Sequence, residues 1–252
     1  MDQSAERYET MANIVFLHGG GMGGWVWNEI ATTLRGEGHH ILTPTFTGFG
    51  ERSHLISRDV THEVHVTDIV NMLTFEDVRD VVLVPFSYGG SVAPGVIARA
   101  GDRIRRVVYF DGIVPEAGKS VGEAMGYMSN EEAMGLNALL ASGKGAIGTG
   151  VAEMQRTAAQ DKPMKMTTER QEWMLAHLSD MPLRCMVSPV TSGGDAIDKP
   201  VDYLGIVGDV MEPQHEKARK LGWNVETMGP EIDHAFIVGA PERAVEFLRP
   251  RL

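Results

Sequence analysis

Ser87 is the residue of this sequence best placed to act as a nucleophile. It follows an apolar, β-branched run at 81–84 and precedes Tyr88, Gly89 and Gly90, in the order VVLVPFSYGG. This pattern is typical of a strand that turns sharply into a helix, the arrangement called a nucleophile elbow. A serine at such a turn holds its hydroxyl above the edge of the sheet, and the helix N-terminus behind it favours negative charge. The sequence therefore predicts attack by the serine hydroxyl on an acyl carbon.

A serine nucleophile needs a base within hydrogen-bonding reach and an acid that orients the base. His234 lies in the loop after the predicted strand at 225–228, and Asp209 lies in the turn after the predicted strand at 201–207. Serine, then aspartate, then histidine, with the last two on the final two strand–helix loops, is a chain order known for hydrolytic triads. We therefore predict Ser87 as nucleophile, His234 as base and Asp209 as acid.

Acyl transfer also needs hydrogen-bond donors for the oxyanion that forms on the substrate. The backbone N–H of Tyr88, directly after the nucleophile, is one candidate donor. The second is expected from the stretch HGGG at 18–21, with the N–H of Gly20 favoured. Glycines suit this loop because they let the backbone itself approach the substrate.

Pro85 makes the predicted elbow unusual, because the common pattern is G-x-S-x-G and proline stands at its first position. Proline fixes φ and has no N–H, which a strand tolerates only where that donor is not needed. Since the partners of Ser87 are all present, we predict an active elbow with a slightly altered angle of approach. Phe86 is predicted to add an apolar wall beside the nucleophile.

Strand and helix patterns alternate along most of the chain. Alternation of this kind argues for a parallel sheet covered by helices on both faces, with ligands bound at the carboxyl ends of the strands. We therefore predict an α/β fold with a mostly parallel central sheet of about six strands. The predicted strands are 11–17, 39–43, 81–84, 104–110, 201–207 and 225–228.

Residues 113–200 interrupt the alternation. They are rich in Gly and Met and show several short helical patterns without a convincing strand. We predict a helical cap inserted after the fourth strand, lying over the carboxyl edge of the sheet. The core would then consist of 11–112 and 201–252, and residues 1–10 would form a short N-terminal tail.

The composition limits the partners of the protein. A formal net charge of −11 argues against nucleic acid or an anionic membrane, since both need clustered Lys and Arg. The sequence lacks the long apolar run of a membrane span, and its first residues lack the apolar core of a signal peptide. A single cysteine, Cys185, fits a reducing compartment. We expect a cytoplasmic protein that acts on a small molecule, with a homodimer left open.

No cofactor and no metal are predicted. The stretch from His62 to His65, HEVH, resembles the zinc motif H-E-x-x-H but is one residue short. Its two histidines therefore cannot occupy the i and i+4 positions that a helical zinc site requires. The glycine-rich loop after 17 also lacks the pattern of a phosphate-binding loop.

Four stretches of the sequence resemble the α/β-hydrolase superfamily: IVFLHGGGMGGW, TFTGFGERSHL, VLVPFSYGG and VVYFDGIVPE. More narrowly, the chain resembles bacterial esterases that are similar to plant methyl esterases and hydroxynitrile lyases. The resemblance covers about 14–114 and 203–248, and it implies the same triad and the same oxyanion donors. Asp111 is a rival acid, because some hydrolases carry theirs at the end of this strand. The resemblance favours Asp209.

The resemblance also favours esterase activity over the other activities known among similar proteins. The lyases of this group have Thr directly after the first-loop histidine and Lys directly after the catalytic histidine, where this chain has Gly19 and Ala235. Lyase chemistry is therefore not expected. Haloalkane dehalogenases and epoxide hydrolases share the fold but use Asp at the elbow, so Ser87 argues against both.

The expected substrate is a carboxylic ester of small to medium size and largely apolar character. Nine of the 15 methionines lie between Met125 and Met186, and thioethers adapt to irregular apolar ligands. A lactonase, a carbon–carbon bond hydrolase, a cofactor-free oxygenase and a ligand receptor that retains the triad remain alternatives. The candidate substrate-binding residues are Gly19, Trp25, Phe86, Tyr127 and Trp173.

Overall fold

A six-stranded sheet runs through the centre of the molecule. The computed structural model describes residues 11–252, so the tail predicted at 1–10 lies outside the described residues. The strands are β1 (Asn13–Leu17), β2 (His40–Leu42), β3 (Val81–Pro85), β4 (Ile104–Phe110), β5 (Val201–Ile206) and β6 (Asn224–Met228). Their order across the sheet is β2-β1-β3-β4-β5-β6, and every neighbouring pair is parallel. The predicted strands and fold class are confirmed.

Helices connect successive strands and cover both faces of the sheet. Among residues 11–252, none of these helices is long and apolar enough to cross a bilayer. The helices are α1 (Asn28–Gly36), α2 (His62–Phe75), α3 (Gly89–Ala100), α4 (Val121–Ala124), α5 (Asn130–Ala141), α6 (Val151–Asp161), α7 (Thr168–His177), α8 (Leu183–Val187), α9 (Glu212–Lys220), α10 (Phe236–Gly239) and α11 (Pro241–Leu248).

Alternating side chains of the strands build two separate cores, because successive residues of a strand point to opposite faces. On one face, Phe16 of β1 and Val84 of β3 are buried with Trp27 and with helices α1 and α11. On the other face, Leu17 and Leu83 are buried with helices α2, α3 and α9. Strand β3 is buried at every position, as expected for a strand covered on both faces. The nucleophile therefore follows a strand that both cores hold in place.

The segment between β4 and β5 contains five of the helices, α4 to α8. Helices α4 and α5 both begin with a capping box, formed by Ser120 with Glu123 and by Ser129 with Glu132. The helical patterns predicted for 113–200 agree with these helices. The division of the chain into a core and a separate cap stays a prediction.

The turn from β3 into α3 forms despite Pro85. Directly after the proline, the N–H of Phe86 donates to the carbonyl of Leu17 on β1 over 3.0 Å. The N–H of Ser87 donates to the carbonyl of Phe110 on β4 over 3.3 Å. Ser87 has a φ of +51°, in the left-handed region that non-glycine residues rarely occupy. Strain at this position is what a nucleophile elbow requires.

Helix α3 begins very close to the sheet, and its first turn has an unusual hydrogen bond. A Cβ on Gly90 would lie 2.6 Å from the backbone nitrogen of Ile113, so only glycine fits there. Pro94, inside the helix, cannot donate to the carbonyl of Gly90 four residues earlier. The hydroxyl of Tyr109 on β4 donates to that carbonyl instead, over 3.0 Å. The side chain of Tyr109 thus ties strand β4 to the first turn of the helix that follows Ser87.

Candidate active site

Ser87 and His234 form the centre of the site. The Nε2 atom of His234 lies 2.9 Å from the Oγ atom of Ser87. Ser87 is presented by the elbow after β3, and His234 lies in the loop between β6 and α10. Both were predicted as site residues, and the structure brings them together across 147 positions of the chain. The pair has the geometry in which a histidine removes the proton of a serine hydroxyl.

Asp111 orients the histidine. Its Oδ2 atom lies 2.7 Å from Nδ1 of His234. Asp111 directly follows β4, has a φ of +43° and is fully buried. A carboxylate only accepts hydrogen bonds, so Nδ1 of His234 carries a proton and Nε2 is free to accept one from Ser87. This is the tautomer that a general base needs.

Asp209 does not make the contact that was predicted for it, and this assignment is corrected to Asp111. The Oδ2 atom of Asp209 accepts the backbone N–H of His234 over 3.0 Å, and its Oδ1 atom accepts the N–H of Val210 over 2.6 Å. Both oxygens are therefore engaged with backbone groups rather than with the imidazole ring. Asp209 instead ties the loop after β5 to the loop that carries His234.

Asp233 and Lys165 fix the other side of this histidine loop. The two carboxylate oxygens of Asp233 accept the backbone N–H groups of Ala235, over 3.0 Å, and of Lys165, over 2.6 Å. The ammonium group of Lys165 donates to the carbonyls of Pro230 and Ile232. The position of His234 thus depends on a residue of the segment between β4 and β5 as well as on its own loop.

The charges around His234 favour a protonated ring. Burial acts to lower the pKa of His234, but the hydrogen bond and charge of Asp111, with the charges of Asp209 and Asp233, outweigh burial and raise it. Burial acts to raise the pKa of Asp111, but hydrogen bonds from His215 and His234 outweigh burial and hold it below its ordinary value. Asp111 therefore stays ionised and can stabilise the imidazolium that forms during proton transfer.

The two predicted oxyanion donors lie next to each other. A Cβ built on Gly20 would be 4.0 Å from the Cβ of Tyr88, so the glycine loop and the elbow adjoin. Within residues 11–252, neither the N–H of Gly20 nor that of Tyr88 donates to a protein acceptor. Gly19 also needs to be small, because a Cβ there would lie 3.0 Å from the ring of Phe86 and 3.1 Å from the Cβ of Ser87.

Buried, neutral histidines support the glycine loop and the elbow, which carry the two candidate oxyanion donors. Burial lowers the pKa of His18 to about 4, and its ring contacts the carbonyl of Gly19 at 2.8 Å and the N–H of Phe46 at 3.1 Å. Burial lowers the pKa of His65 to about 3, and its ring joins the hydroxyl of Tyr88 to the carbonyl of Thr47. These rings hold the loops that carry the candidate oxyanion donors. His62 and His65 point to separate partners, so they do not converge on a metal.

Asp111, Asp209 and His234 also place ligand atoms within 4.8 Å of one another, a spacing that a metal ion could use. In this arrangement the Nδ1 proton of His234 lies between the ring and Asp111, and a metal at Nδ1 would displace it. The hydrogen bonds from His234 to Asp111 and Asp209 account for the close spacing of the three residues.

A cavity of about 240 Å³ opens onto Ser87 and His234. Most of its wall area is apolar, with methionines from the glycine loop and from the segment between β4 and β5. Polar and charged side chains also line it, besides Ser87 and His234. The lining residues are Gly20, Met22, Ser87, Gln155, Lys162, Pro163, Met164, Met174, Asp209, Asp233, His234 and Ala235.

The four aromatic residues predicted to bind substrate do not line this cavity. Trp25 and Trp173 pack edge to face, 5.2 Å between ring centroids, and line a different surface pocket of about 550 Å³. Phe86 is fully buried and stacks against the ring of His234 at 4.8 Å, so it supports the base from behind. Tyr127 is mostly exposed. The partial burial of its hydroxyl and the nearby negative charge of Asp209 raise the pKa of Tyr127.

His215 was missed in the sequence. Its Nε2 atom lies 2.7 Å from Oδ1 of Asp111, on the opposite side of the carboxylate from His234. It lies on the strongly polar helix α9, where no motif or spacing marks it in the sequence.

A fold of this kind with a serine, a histidine and an aspartate at the carboxyl edge of a parallel sheet defines a class of hydrolases. The model of the alpha/beta hydrolase family matches residues 14–247. The chain belongs to the alpha/beta hydrolase family.

Among known proteins, the chain is similar to the carbendazim hydrolyzing esterase of Nocardioides sp. (strain SG-4G), with 47% identity over 111 residues. That match covers 44% of this chain and 46% of the relative, so it spans less than half of the relative's length.

Two solved structures share the fold over nearly the whole chain. An extracellular alpha/beta-hydrolase from a Paenibacillus species has 23% identity and a TM-score of 0.72, covering 94% of this chain and 97% of that one. A methylesterase from Arabidopsis has 18% identity and a TM-score of 0.73, and the match covers 96% of this chain and 98% of the methylesterase. The cytoplasmic location and the question of a homodimer stay predictions.

Proposed function

We propose that this protein is a serine hydrolase that cleaves a carboxylic ester of a small, largely apolar substrate through an acyl-enzyme intermediate. The observation that carries the proposal is the continuous hydrogen-bonded chain from Ser87 Oγ through His234 to the buried carboxylate of Asp111. The esterase relative, whose printed name is carbendazim hydrolyzing esterase, supports the same reaction class.

The geometry supports two half-reactions that use the same groups. Ser87 Oγ attacks the ester carbon as its proton passes to Nε2 of His234, and the buried charge of Asp111 stabilises the resulting imidazolium. The N–H groups of Gly20 and Tyr88 would bind the oxyanion of the tetrahedral intermediate. His234 then gives the proton to the leaving alcohol. In the second half, water replaces the alcohol and attacks the acyl carbon as His234 takes its proton. The bond from the acyl carbon to Ser87 Oγ then breaks, Oγ regains the proton from His234, and the acid is released.

The cavity supports a small substrate. Its volume of about 240 Å³ lies below the range of roughly 300–1,000 Å³ that is common for ligand pockets. Met22, Met164 and Met174 supply flexible apolar walls that can adapt to the acyl or alcohol group. We therefore expect esters with short chains to react faster than esters with long chains.

The test combines covalent labelling with a substrate panel. The protein is treated with a fluorophosphonate, and the labelled peptide is identified by mass spectrometry. Label on Ser87, and none in Ser87→Ala or His234→Ala, would support the proposal. The panel contains p-nitrophenyl esters of increasing chain length, small lactones and carbendazim, the last because the esterase relative is named for it.

An exposed serine of the segment between β4 and β5 provides the matched control. Ser142→Ala removes an exposed hydroxyl that does not line the cavity and should leave labelling and turnover unchanged. Label on a serine other than Ser87, or full ester hydrolysis by Ser87→Ala with wild-type thermal stability, would refute the proposed mechanism. Hydrolysis of lactones alone would keep the mechanism and change the substrate class.

A further inference from the structure

His215 contacts the acid of the triad from the side opposite to the base. It lies on helix α9, its side chain is almost completely buried, and its Nε2 atom is 2.7 Å from Oδ1 of Asp111. Because the ionised carboxylate of Asp111 can only accept, the proton of this hydrogen bond lies on Nε2 of His215. Two histidines therefore donate to one carboxylate, and only one of them, His234, reaches the nucleophile.

Strand β5 is shaped to receive the ring of His215. A Cβ on Gly205 would lie 2.5 Å from Nε2, 2.6 Å from Cε1 and 2.8 Å from Cδ2 of that ring. Any side chain at 205 would push the imidazole away from the strand and from Asp111. The backbone of Gly205 does not require glycine for its φ, so the ring of His215 is the reason that the position must lack a Cβ.

The two oxygens of Asp111 have unequal sets of donors. Among residues 11–252, Oδ2 receives only Nδ1 of His234, at 2.7 Å. Oδ1 receives Nε2 of His215 at 2.7 Å and the N–H of Ile206 at 3.2 Å. The shorter bond to Oδ1 therefore comes from His215, and it fixes the rotation of the carboxylate that directs Oδ2 at His234.

We propose that His215 is a positioning residue of this enzyme, which holds the Asp111 carboxylate in the orientation that keeps His234 in the reactive tautomer. This inference rests on the proposed serine hydrolase function. Without His215, Oδ1 keeps only the longer bond to Ile206, and the carboxylate can rotate away from His234. The effect would reach Ser87 only through Asp111 and His234, so substrate binding should change little.

The first test compares two substitutions of His215. His215→Met fills a similar volume but has no donor, whereas the amide of His215→Gln can place an N–H near the position of Nε2. We expect His215→Met to lower kcat for a p-nitrophenyl ester by about 10- to 100-fold with KM within about threefold, the size of effect seen when a supporting hydrogen bond to a functional side chain is lost. His215→Gln should recover most of that loss.

The second test moves the ring without changing it. Gly205→Ala should displace His215 and reproduce the loss of kcat. Since both substitutions break the same contact, the double variant Gly205→Ala/His215→Met should lose little more than either single variant, in a double-mutant cycle. The low-field proton resonance of Nδ1–H in His234 should weaken or shift in His215→Met and persist in His215→Gln.

Gln214, the neighbouring buried residue of α9, is the matched control. It accepts the N–H of Val114 and donates to the carbonyl of Ala124, so Gln214→Met also loses buried hydrogen bonds, but none to the triad. We expect Gln214→Met to lower Tm while kcat and the low-field resonance stay at wild-type values.

Fluorophosphonate labelling separates failure of this inference from failure of the proposed function. If the wild-type protein is not labelled at Ser87, the proposed function fails and the inference fails with it. If the wild type is labelled and folded His215→Met matches it in labelling rate, kcat and low-field resonance, His215 is only a packing residue and the inference alone is overturned. A kcat loss in Gly205→Ala that adds fully to that of His215→Met would also contradict it.

Discussion

Replacement of Asp111 by Asn should inactivate the enzyme far more than the same change at Asp209. Three donors converge on the Asp111 carboxylate, from His234, His215 and Ile206, and the carboxylate accepts all of them. An Asn has one accepting oxygen, and its NH₂ group must face at least one of these donors. If it faces His234, the ring must move its proton to Nε2 and can no longer accept the proton of Ser87.

The expected size of this effect is a kcat lower by about 10³- to 10⁴-fold, the range for triads whose histidine is held in the wrong tautomer. Asp209→Asn should lower kcat by less than about tenfold, because an amide oxygen can still accept the backbone N–H of His234. What Asp209→Asn removes is a negative charge near the ring, which contributes to the raised pKa of His234.

The assay is steady-state hydrolysis of a short p-nitrophenyl ester by both variants, with Tm measured alongside. Similar Tm values with a large kcat difference would assign the acid to Asp111. If Asp209→Asn proves to be the more damaged enzyme, the assignment of the acid from hydrogen-bond geometry is refuted and Asp209 takes the role that the sequence predicted.

Three further predictions follow from the same geometry. Activity requires neutral His234, and neighbouring carboxylates raise the pKa of this residue, so kcat/KM should increase with pH around a midpoint above the ordinary imidazole pKa. A midpoint below that value would contradict the effect assigned to these carboxylates. Gly19→Ala should lower kcat at least tenfold, because the new Cβ would lie only 3.1 Å from the Cβ of Ser87 and displace the nucleophile. An unchanged kcat would show that the glycine loop can move to relieve this contact. Pro85→Gly should lower the free energy of unfolding by about 0.4–1 kcal/mol in chemical denaturation while Ser87 remains labelled, and loss of labelling would show that proline sets the elbow.

Most of the fold could be predicted because buried parallel strands have a clear signature in sequence. Strand β3 is an unbroken apolar run, and β1 after its first residue and the second half of β4 are also apolar, which leaves little choice of secondary structure. Ser87 was predictable for a related reason, since it follows such a strand, whereas His234 was predicted from its place in the loop after the last strand. The unusual Pro85 did not prevent the elbow, because the hydrogen bonds of the chain to β1 and β4 resume directly after it.

The acid could not be chosen from the sequence alone. Asp111 and Asp209 follow neighbouring parallel strands, β4 and β5, so both reach the same edge of the sheet. The choice depends on which carboxylate faces the ring and on His215, which is 104 positions from Asp111 and has no characteristic spacing. The aromatic residues predicted to bind substrate do not line the cavity for a similar reason, because the side of a loop or helix that faces the cavity depends on packing between distant segments.

The use of β4 to supply the acid also has a consequence for how this scaffold can diversify. Asp111 is held by an interior strand whose last residues are completely buried, whereas the loop after β5 is open, with Val207 43% exposed and Val210 69% exposed. This loop is linked to the base through Asp209, whose carboxylate accepts the backbone N–H of His234. That loop reaches the cavity through Asp209, so new side chains at its exposed positions are the natural way to change the substrate preference, provided that Ile206 and His215 on either side of it keep their hydrogen bonds to Asp111.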